Sequence, residues 1–565
     1  MEEKKDEGRG DLETYLISRR QFLKVAGIAG AAIGMGAGLG GLLAACGKEV
    51  ETTTTAGAAT TAGASTTVSV ATTAATTVAP TTTTAAGPKQ GGTLRLGIPG
   101  GGTDDTLDAH LPLTLATGAR IRALYDQLTQ VNANFELENT LVESVESNAT
   151  ADQWTIRLKQ GVEFHNGKTL NADDVIYSFQ RILDPKVGAF GASQLACIDL
   201  PSLKKLDDLT VQVKTVKPFA TFDLALGDGG VTAIVPVGYD PANPVGTGPF
   251  KVKSFTPGEQ SVFERFPNYH GGPAYVDELV MIDLTDDAAR VNALLAGQVD
   301  AIGGVPYAQI AVVKQNADCT IFEYETGNFN PITMRVDTPP FDDVRVRQAL
   351  RLCIDRDQAV QAGLSGHGTY ASDSYSPNDP AFDKALVRTR DIEQAKSLLK
   401  QAGKEKLEVE LVTSRIAAGI VETCSVLAAN AADAGVTIKV REVDIGTFYG
   451  NYFQWPFAVD WWTAFYYLTT ASVADGPGAA LNSTHFNDPE YNKVFDQAEA
   501  ELDATKRGEL IRQLQKIQFD RGGLIIPYYT HVVDAYRKNV AGQREKNLTG
   551  GSLGTPHGYE KLYLL

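Results

Sequence analysis

The sequence predicts an α/β protein with at least two folded lobes, and three observations support that prediction. Its 565 residues are too many for one hydrophobic core of ordinary size. Residues 154–185 combine a strand pattern with a capped amphipathic helix. Residues 407–443 give a strand, a helix and a second strand in succession, an order typical of parallel βαβ units.

The composition is that of a globular protein with an acidic surface. Hydrophobic residues make up 43% of the chain and charged residues 21%, which are ordinary globular values. The formal net charge is −17. Because nucleic acids and anionic membranes repel such a surface, neither is expected to be the main partner.

The N-terminal residues 1–46 predict an export signal with a lipid attachment site. Residues 18–24 (SRRQFLK) fit the twin-arginine export motif, and a weakly hydrophobic run follows at 25–42. Residues 43–47 (LAACG) resemble a bacterial lipobox, in which the cysteine, here Cys46, carries lipid. The alternative is an uncleaved transmembrane anchor, because the apolar run is roughly long enough to span a bilayer.

Residues 47–89 are rich in Thr and Ala, and we predict that they form a disordered tether. Such a segment has few large apolar side chains, so burying them would not offset the conformational entropy lost on folding. The folded chain is therefore expected to begin near residue 90.

Four cysteines follow the tether, and they allow three disulfide connectivities in an extracytoplasmic protein. They are Cys197, Cys319, Cys353 and Cys424. None of them lies in a C-x-x-C pair, so the sequence predicts no metal cluster or redox motif.

The stretch from residue 154 to 185 is built from strong local signals. Residues 154–158 alternate apolar and polar side chains, which indicates a strand with one buried face. Asn166-Gly167 favours a two-residue hairpin turn. Asn171 is placed to cap a helix whose first turn contains Asp173 and Asp174, where the helix dipole favours negative charge.

The remaining elements follow from the same periodicities. Strands are predicted at 91–97, 209–213, 407–412 and 436–443, and helices near 118–130, 290–296, 391–399, 420–434 and 506–519. Asp342 is predicted to cap a further helix, with Phe341 before it as a hydrophobic staple.

Several motifs, occurring in order along the chain, resemble those of the family 5 solute-binding proteins of ABC importers, a group that binds peptides, nickel or glutathione. They are residues 154–167, 172–175, 243–250 (NPVGTGPF), 263–277, 290–301 and 340–350. The resemblance extends over about residues 91–535, which is nearly the whole predicted folded region.

This resemblance implies a two-lobed periplasmic-binding-protein fold, class II-like, with an extra small domain inserted in the first lobe. The implied divisions are 90–133, 245–322 and 515–565 for lobe I, 134–244 for the small domain, and 323–514 for lobe II. It further implies a monomer without a cofactor that closes on a small organic solute (peptide, sugar or polyamine). The protein would then deliver the solute to ABC permease and ATPase subunits from the outer face of the cell membrane.

Two functions of other classes are weighed against solute capture. An extracellular hydrolase needs a nucleophile or a metal, yet the sequence contains no G-x-S-x-G, H-E-x-x-H or P-loop motif. Its seven histidines include no i,i+4 pair, and His165 is expected at the surface of the hairpin. A ligand-sensing regulator would not need the export signal. The sequence therefore predicts a binding protein and no enzyme.

Residues 460–467 (DWWTAFYY) are the strongest candidates for ligand contact, because five of these eight residues are aromatic. Binding pockets favour aromatic walls with a few placed polar groups. The candidates are Asp460, Trp461, Trp462, Phe465 and Tyr466. The alternative is that these aromatic side chains belong to the core.

One of these positions departs from the family pattern. In the peptide binders that this stretch resembles, an aspartate pairs with the ammonium group of the peptide, and Phe465 aligns with that aspartate. A classical free peptide is therefore a weaker prediction, which leaves an oligosaccharide or a polyamine open. Asp460 would substitute for the aspartate if the register shifts.

Three further residues are candidates for ligand contact. Arg335 is suited to clamp a carboxylate or phosphate, although an arginine exposed on a strand is the alternative. Asp108 and Tyr375 lie in predicted loops and turns.

Overall fold

The computed structural model describes residues 88–112, 114–553 and 558–565. The predicted export signal, Cys46 and the tether as far as residue 87 lie outside the described residues. Within the described part, no helix combines the length and the apolar character needed to cross a membrane.

The described strands form one large sheet and several small ones. They are β1 Thr93–Ile98, β2 Thr129–Val131, β3 Leu137–Asn139, β4 Val142–Ser147, β5 Gln153–Leu158, β6 Lys204–Asp207, β7 Thr210–Lys214, β8 Phe250–Thr256, β9 Gln260–Arg265, β10 Glu278–Asp283, β11 Ala301–Ile302, β12 Cys319–Phe329, β13 Ile332–Met334, β14 Gly368–Tyr370, β15 Glu408–Thr413, β16 Thr437–Glu442, β17 Phe457–Val459, β18 Leu524–Ile525, β19 Tyr528–Arg537, β20 Val540–Ala541 and β21 Tyr563–Leu564.

The described helices pack against these sheets. They are α1 Leu115–Leu124, α2 Ala172–Leu183, α3 Ala192–Leu195, α4 Phe222–Ala225, α5 Asp287–Leu295, α6 Ile310–Gln315, α7 Val344–Cys353, α8 Arg356–Leu364, α9 Ile392–Gln401, α10 Ile420–Ala431, α11 Ile445–Gly450, α12 Tyr467–Ala474, α13 Pro489–Ala500 and α14 Ala504–Arg521.

The first lobe is organised around the eight-stranded sheet. Its strands run in the order β12-β19-β11-β1-β10-β9-β8, and β14 pairs with β19. Strand β1 is parallel to both of its neighbours, whereas the other pairs in the sheet are antiparallel. Helix α1 covers this sheet, and Leu94, Leu96, Ile121 and Phe263 meet in a core below it.

The second lobe is organised around the parallel pair β15–β16 and the small sheet β17-β13-β18. Helices α7 to α10 pack on these strands, and Leu350, Leu399, Leu411 and Leu427 lie in their common core. The predicted βαβ unit is confirmed, since β15, α10 and β16 follow in order and the two strands are parallel.

A third core lies under the four-stranded sheet β4-β5-β7-β6 and helix α2. The predicted strand and capped helix are confirmed here. The Asn171 side chain accepts hydrogen bonds from the Asp173 and Asp174 amides. The Asp174 carboxylate accepts one from the Asn171 amide, which completes a capping box. The outline of the fold agrees with the sequence, while the predicted boundaries between lobes and small domain stay predictions.

Three predictions about local structure were wrong. Helix α1 ends at Leu124, because Tyr125 is extended, so the predicted helix does not continue to residue 130. Asp343, and not Asp342, caps helix α7. His165 is partly buried rather than on the surface, with ring nitrogens 3.0 Å from the Gly248 oxygen and 3.2 Å from the Gly246 amide.

The four cysteines that follow the tether are free thiols in the structure, so none of the disulfide connectivities left open by the sequence is formed. Cys353 and Cys424 are fully buried in the core of the second lobe.

The glycines of the NPVGTGPF motif are required because this segment runs against helix α1. A Cβ atom on Gly246 would lie 2.0 Å from the Leu124 oxygen, and one on Gly248 would lie 2.5 Å from the Leu124 carbonyl carbon. Any larger side chain would push the segment away from the helix end. The motif therefore specifies a backbone path.

A buried ion-pair network fixes the loop after β14 in the second lobe. The Asp373 carboxylate is 2.7 Å from both Arg356 and Arg388, and it accepts a 2.9 Å bond from the Ile526 amide. The Asp373 side chain is completely buried, so loss of its charge would leave two guanidinium groups without their counter-ion.

We therefore expect Asp373→Asn to lower the free energy of unfolding by about 3–5 kcal/mol. Asparagine tolerates the positive φ of 61° at this position, so the substitution isolates the charge. The control is Asp433→Asn, in an exposed pair with Arg390, which should cost less than about 1 kcal/mol. Urea unfolding followed by circular dichroism measures both, and equal losses would contradict the role of the buried pair.

Candidate functional site

A cavity of about 430 Å³ lies between the two lobes and is the candidate site. On the side of the first lobe it is lined by helix α1, the end of β1 and the C-terminal residues 549–553 and Tyr559, together with the loop 227–230 of the predicted small domain. From the second lobe it is lined by Ala417, Ala418 and residues 461–465. Asn328 and Thr530, on the long strands β12 and β19, line it as well.

The aromatic wall of the cavity, Trp461 and Trp462, is held by the polar edges of the two indoles. Trp461 Nε1 donates to the Tyr449 hydroxyl at 3.0 Å, and Trp462 Nε1 donates to Asp460 Oδ2 at 3.2 Å. Trp462 also exchanges two backbone hydrogen bonds with Phe329 at the end of β12, and the two rings stack 6.4 Å apart. Both indoles line the cavity, although one face of Trp462 is partly covered by Phe329.

Asp460 is buried behind this wall, with 5% of its surface exposed. Its carboxylate accepts hydrogen bonds from the Tyr452 hydroxyl, the Trp461 amide and the Trp462 indole. Burial raises the pKa of Asp460 to about 6, although these donors oppose the rise. In this structure Asp460 positions the tryptophans.

The neighbouring aromatic residues divide between the cavity and the lobe contacts. Phe465 lines the cavity beside Gly229, whose φ of 83° and missing side chain leave room for the ring. Tyr466 stacks on Phe135 with the ring centres 4.8 Å apart, and its hydroxyl donates to the Phe135 oxygen at 2.8 Å. Tyr467 is fully buried in the core.

The other three predicted candidates are not among the described residues that line this cavity. Asp108 is buried in a two-bond ion pair with Arg181, at 2.9 and 2.6 Å. Arg335 is engaged by Asp337 in a similar pair, at 3.0 and 2.9 Å. Tyr375 is fully buried and stacks against Tyr467 at 4.8 Å. A contact between these residues and a ligand stays a prediction.

Several residues that line the cavity were not predicted from the sequence, among them Arg122, Asp228, Asn328, Asn330 and Tyr559. Asn328 accepts from the Ala464 amide at 2.8 Å, and Asn330 donates to the Ala418 oxygen at 3.1 Å. Two asparagines within an otherwise apolar strand end were a signal for such a role. No local pattern distinguishes the other three residues.

Two of the described lining residues carry ionisable charge of opposite sign, Arg122 and Asp228. Burial lowers the pKa of Arg122, and it raises the pKa of Asp228 to about 7. Asp228 accepts from the Tyr466 amide at 3.4 Å, which opposes part of this rise. The described residues include no group of three or more side chains suited to hold a metal ion.

Comparison with known proteins gives a consistent result. The family model of bacterial extracellular solute-binding proteins, family 5 (middle region), matches residues 136–476. The dipeptide-binding protein of Escherichia coli K12 is 28% identical over 461 residues, which are 74% of this chain and 86% of that protein. A probable di/tripeptide-binding protein of Pseudomonas aeruginosa is also 28% identical, over 70% of this chain and 84% of that protein.

A solved structure has the same fold. The ABC transporter substrate-binding protein CtaP of Listeria monocytogenes superposes with a TM-score of 0.74 at 20% identity. The match covers 84% of this chain and all of that protein.

The raised pKa of Asp228 gives a test of how deeply this carboxyl group is buried. The groups that face it are the Tyr466 and Gly229 amides, the Thr469 side chain and the like charge of Asp379. Because its pKa lies at about 7 in the folded state and near 3.8 ordinarily, its protonation stabilises the fold fully below pH 4. That contribution is lost as the pH rises through 7.

We therefore expect the melting temperature of the wild type, relative to Asp228→Asn, to fall between pH 4 and pH 7 and then level off. Thermal unfolding of both proteins over this range measures the difference. A difference that does not vary with pH would contradict the raised pKa of Asp228.

Proposed function

The chain belongs to the bacterial extracellular solute-binding proteins of family 5, and we propose that it captures a peptide or a similar small organic solute in the cavity between its lobes. It would deliver that solute to the permease of an ABC importer. Proteins of this family bind solutes for import and are not enzymes. The ATP that drives import is hydrolysed by the partner subunits.

The observation that carries the proposal is the aromatic-walled cavity at the junction of the lobes. Its volume of about 430 Å³ is within the range of small-molecule sites, roughly 300–1,000 Å³. Trp461, Trp462 and Phe465 offer apolar faces, and Asn328 and Asn330 offer amides close by. Such a combination suits an organic solute with apolar and polar parts.

The contacts between the lobes support a capture mechanism. Tyr466 donates to the oxygen of Phe135, at the start of the predicted small domain, and Asn328 donates to the Gly550 oxygen at 3.4 Å. A solute that touches both sides of the cavity would add to these bridges only when the lobes are together. Binding would then favour the closed form, because a ligand shifts the equilibrium by its differential affinity for the two forms.

The two relatives described above favour a peptide as the class of solute, since both are named for binding dipeptides or tripeptides. A polyamine is not proposed, because Asp460 is engaged by Tyr452 and Trp462 behind the wall. An oligosaccharide would stack on the same tryptophans, but neither of these two relatives is named for a sugar.

We further propose that the protein is exported by the twin-arginine route and anchored to the outer face of the membrane through lipid on Cys46. The support is the order of the arginine pair, the apolar run and the lipobox-like residues 43–47. An anchored binding protein would stay close to its permease.

Ligand contact by the aromatic wall predicts that Trp462→Ala weakens solute binding by roughly tenfold or more, since buried aromatic anchors dominate binding energy. Solutes released from the purified protein would first be identified by mass spectrometry. Each would then be titrated by calorimetry and by its effect on the melting temperature. Trp455→Ala is the matched control. Trp455 is not among the described residues that line the cavity, and its ring packs against Arg441 of strand β16.

If Trp462→Ala kept full affinity, the aromatic wall would not be part of the binding site. Turnover of a peptide or ester library by the purified protein would contradict a purely solute-binding role.

The lipid anchor predicts that Cys46→Ala moves the protein from the membrane fraction to the soluble extracytoplasmic fraction. The substitution removes the only proposed acyl attachment point, and lipid chains provide the membrane affinity of such proteins. Fractionation followed by immunoblotting measures the distribution, with Cys197→Ala as the control. Unchanged membrane association of the Cys46 variant would refute the anchor.

A further inference from the structure

Arg122 lines the cavity without forming an ion pair with any described residue. Its guanidinium donates only to backbone oxygens, to Gly118 at 3.1 Å and to Gly229 at a long 3.4 Å. Arg120, two residues earlier on the same helix, is paired with the carboxylates of Asp105 and Asp283. The cationic charge at Arg122 is therefore left for something that enters the cavity.

Tyr559 is the second unusual group in the same wall. Its side chain is fully buried, and its hydroxyl has no hydrogen-bond partner among the described residues. Buried hydroxyl groups are nearly always paired, so this hydroxyl needs an acceptor, and a solute in the cavity is one group that would supply it. Burial raises the pKa of Tyr559, and the nearby charge of Arg122 opposes the rise, so the two groups are electrostatic neighbours.

We propose that Arg122 and Tyr559 together form an anion subsite, and that the solute is recognised through a carboxylate group. This inference rests on the proposed solute-binding function and specifies the charge of the ligand. A carboxylate accepts two parallel bonds from a guanidinium and a further bond from a hydroxyl. It would neutralise Arg122 and give the Tyr559 hydroxyl its missing acceptor.

The rest of the cavity agrees with an acidic rather than a basic solute. Phe465 contributes no charge, and Asp460 is enclosed behind the tryptophans. The Asp228 carboxylate accepts from the Tyr466 amide. Because burial raises the pKa of Asp228 to about 7, its carboxyl group is only partly ionised near neutral pH. A solute ammonium would therefore meet the full charge of Arg122 with only a partial counter-charge, whereas an organic acid would place its charge at Arg122 and its apolar body against the tryptophans.

The test uses three probes of the same shape and different charge: 3-phenylpropionate, 3-phenylpropionamide and 3-phenylpropylammonium. Calorimetry and thermal shift would measure their binding to the purified protein after removal of co-purified solute. We expect the carboxylate to bind at least tenfold more tightly than the amide, because one hydrogen bond to a charged group has about that effect. The ammonium probe should bind most weakly.

The variants then assign this preference to the subsite. Arg122→Gln should abolish the preference for the carboxylate over the amide, and Tyr559→Phe should reduce carboxylate binding several-fold. Arg122→Lys keeps the charge and should retain part of the preference, which covers the case in which the glutamine variant folds poorly. Arg441→Gln is the control, since Arg441 is paired with Glu410 on the parallel strands, and it should bind as the wild type does.

Equal binding of the carboxylate and the amide, tighter binding of the ammonium probe, or a carboxylate preference that survives in Arg122→Gln would each overturn the anion subsite. In those cases the cavity would still be the solute site. Absence of binding by every probe, together with absence of any released solute, would overturn the proposed function as well.

Discussion

The pairing of β12 with β19 is the interaction on which the rest of the structure depends, because these two strands belong to both lobes. Tyr536 of β19 lies in the core of the first lobe, and Tyr528, at the other end, lies in the core of the second. The ladder is interrupted between Glu325 and Phe329, where the register shifts. Phe329 then pairs with Trp462, so the connecting strands also set the position of the aromatic wall.

The aromatic stretch 460–467 serves the cavity and the core at once, and polar groups decide which residue does which. Asp460 and Tyr449 hold the edges of the two indoles, and both rings line the space between the lobes. Burying a carboxylate for this purpose is unfavourable unless it is fully hydrogen-bonded, and three donors meet that requirement at Asp460. The density of aromatic residues thus reflects two roles that share one segment.

Local signals in the sequence were sufficient for most of the fold. The capping box at Asn171 and the parallel strands β15 and β16 depend on neighbours in the chain or on simple alternation, and both were predicted. The candidate site was predicted only in part, at Trp461, Trp462 and Phe465. Arg122 and Tyr559 come from opposite ends of the folded chain and meet only through the tertiary structure, which no periodicity reveals.

The same contrast explains why family membership and ligand preference are encoded in different residues. Gly246 and Gly248 are required by the close approach of their backbone to the end of helix α1. Charge in the cavity is not constrained by such a contact, since the side chains of Arg122, Asp228 and Phe465 line an open space. Asp228 offsets the positive charge of Arg122 only in part near neutral pH, because burial raises the pKa of Asp228 to about 7. The fold is therefore kept, while the sign of the group that it selects is free to change.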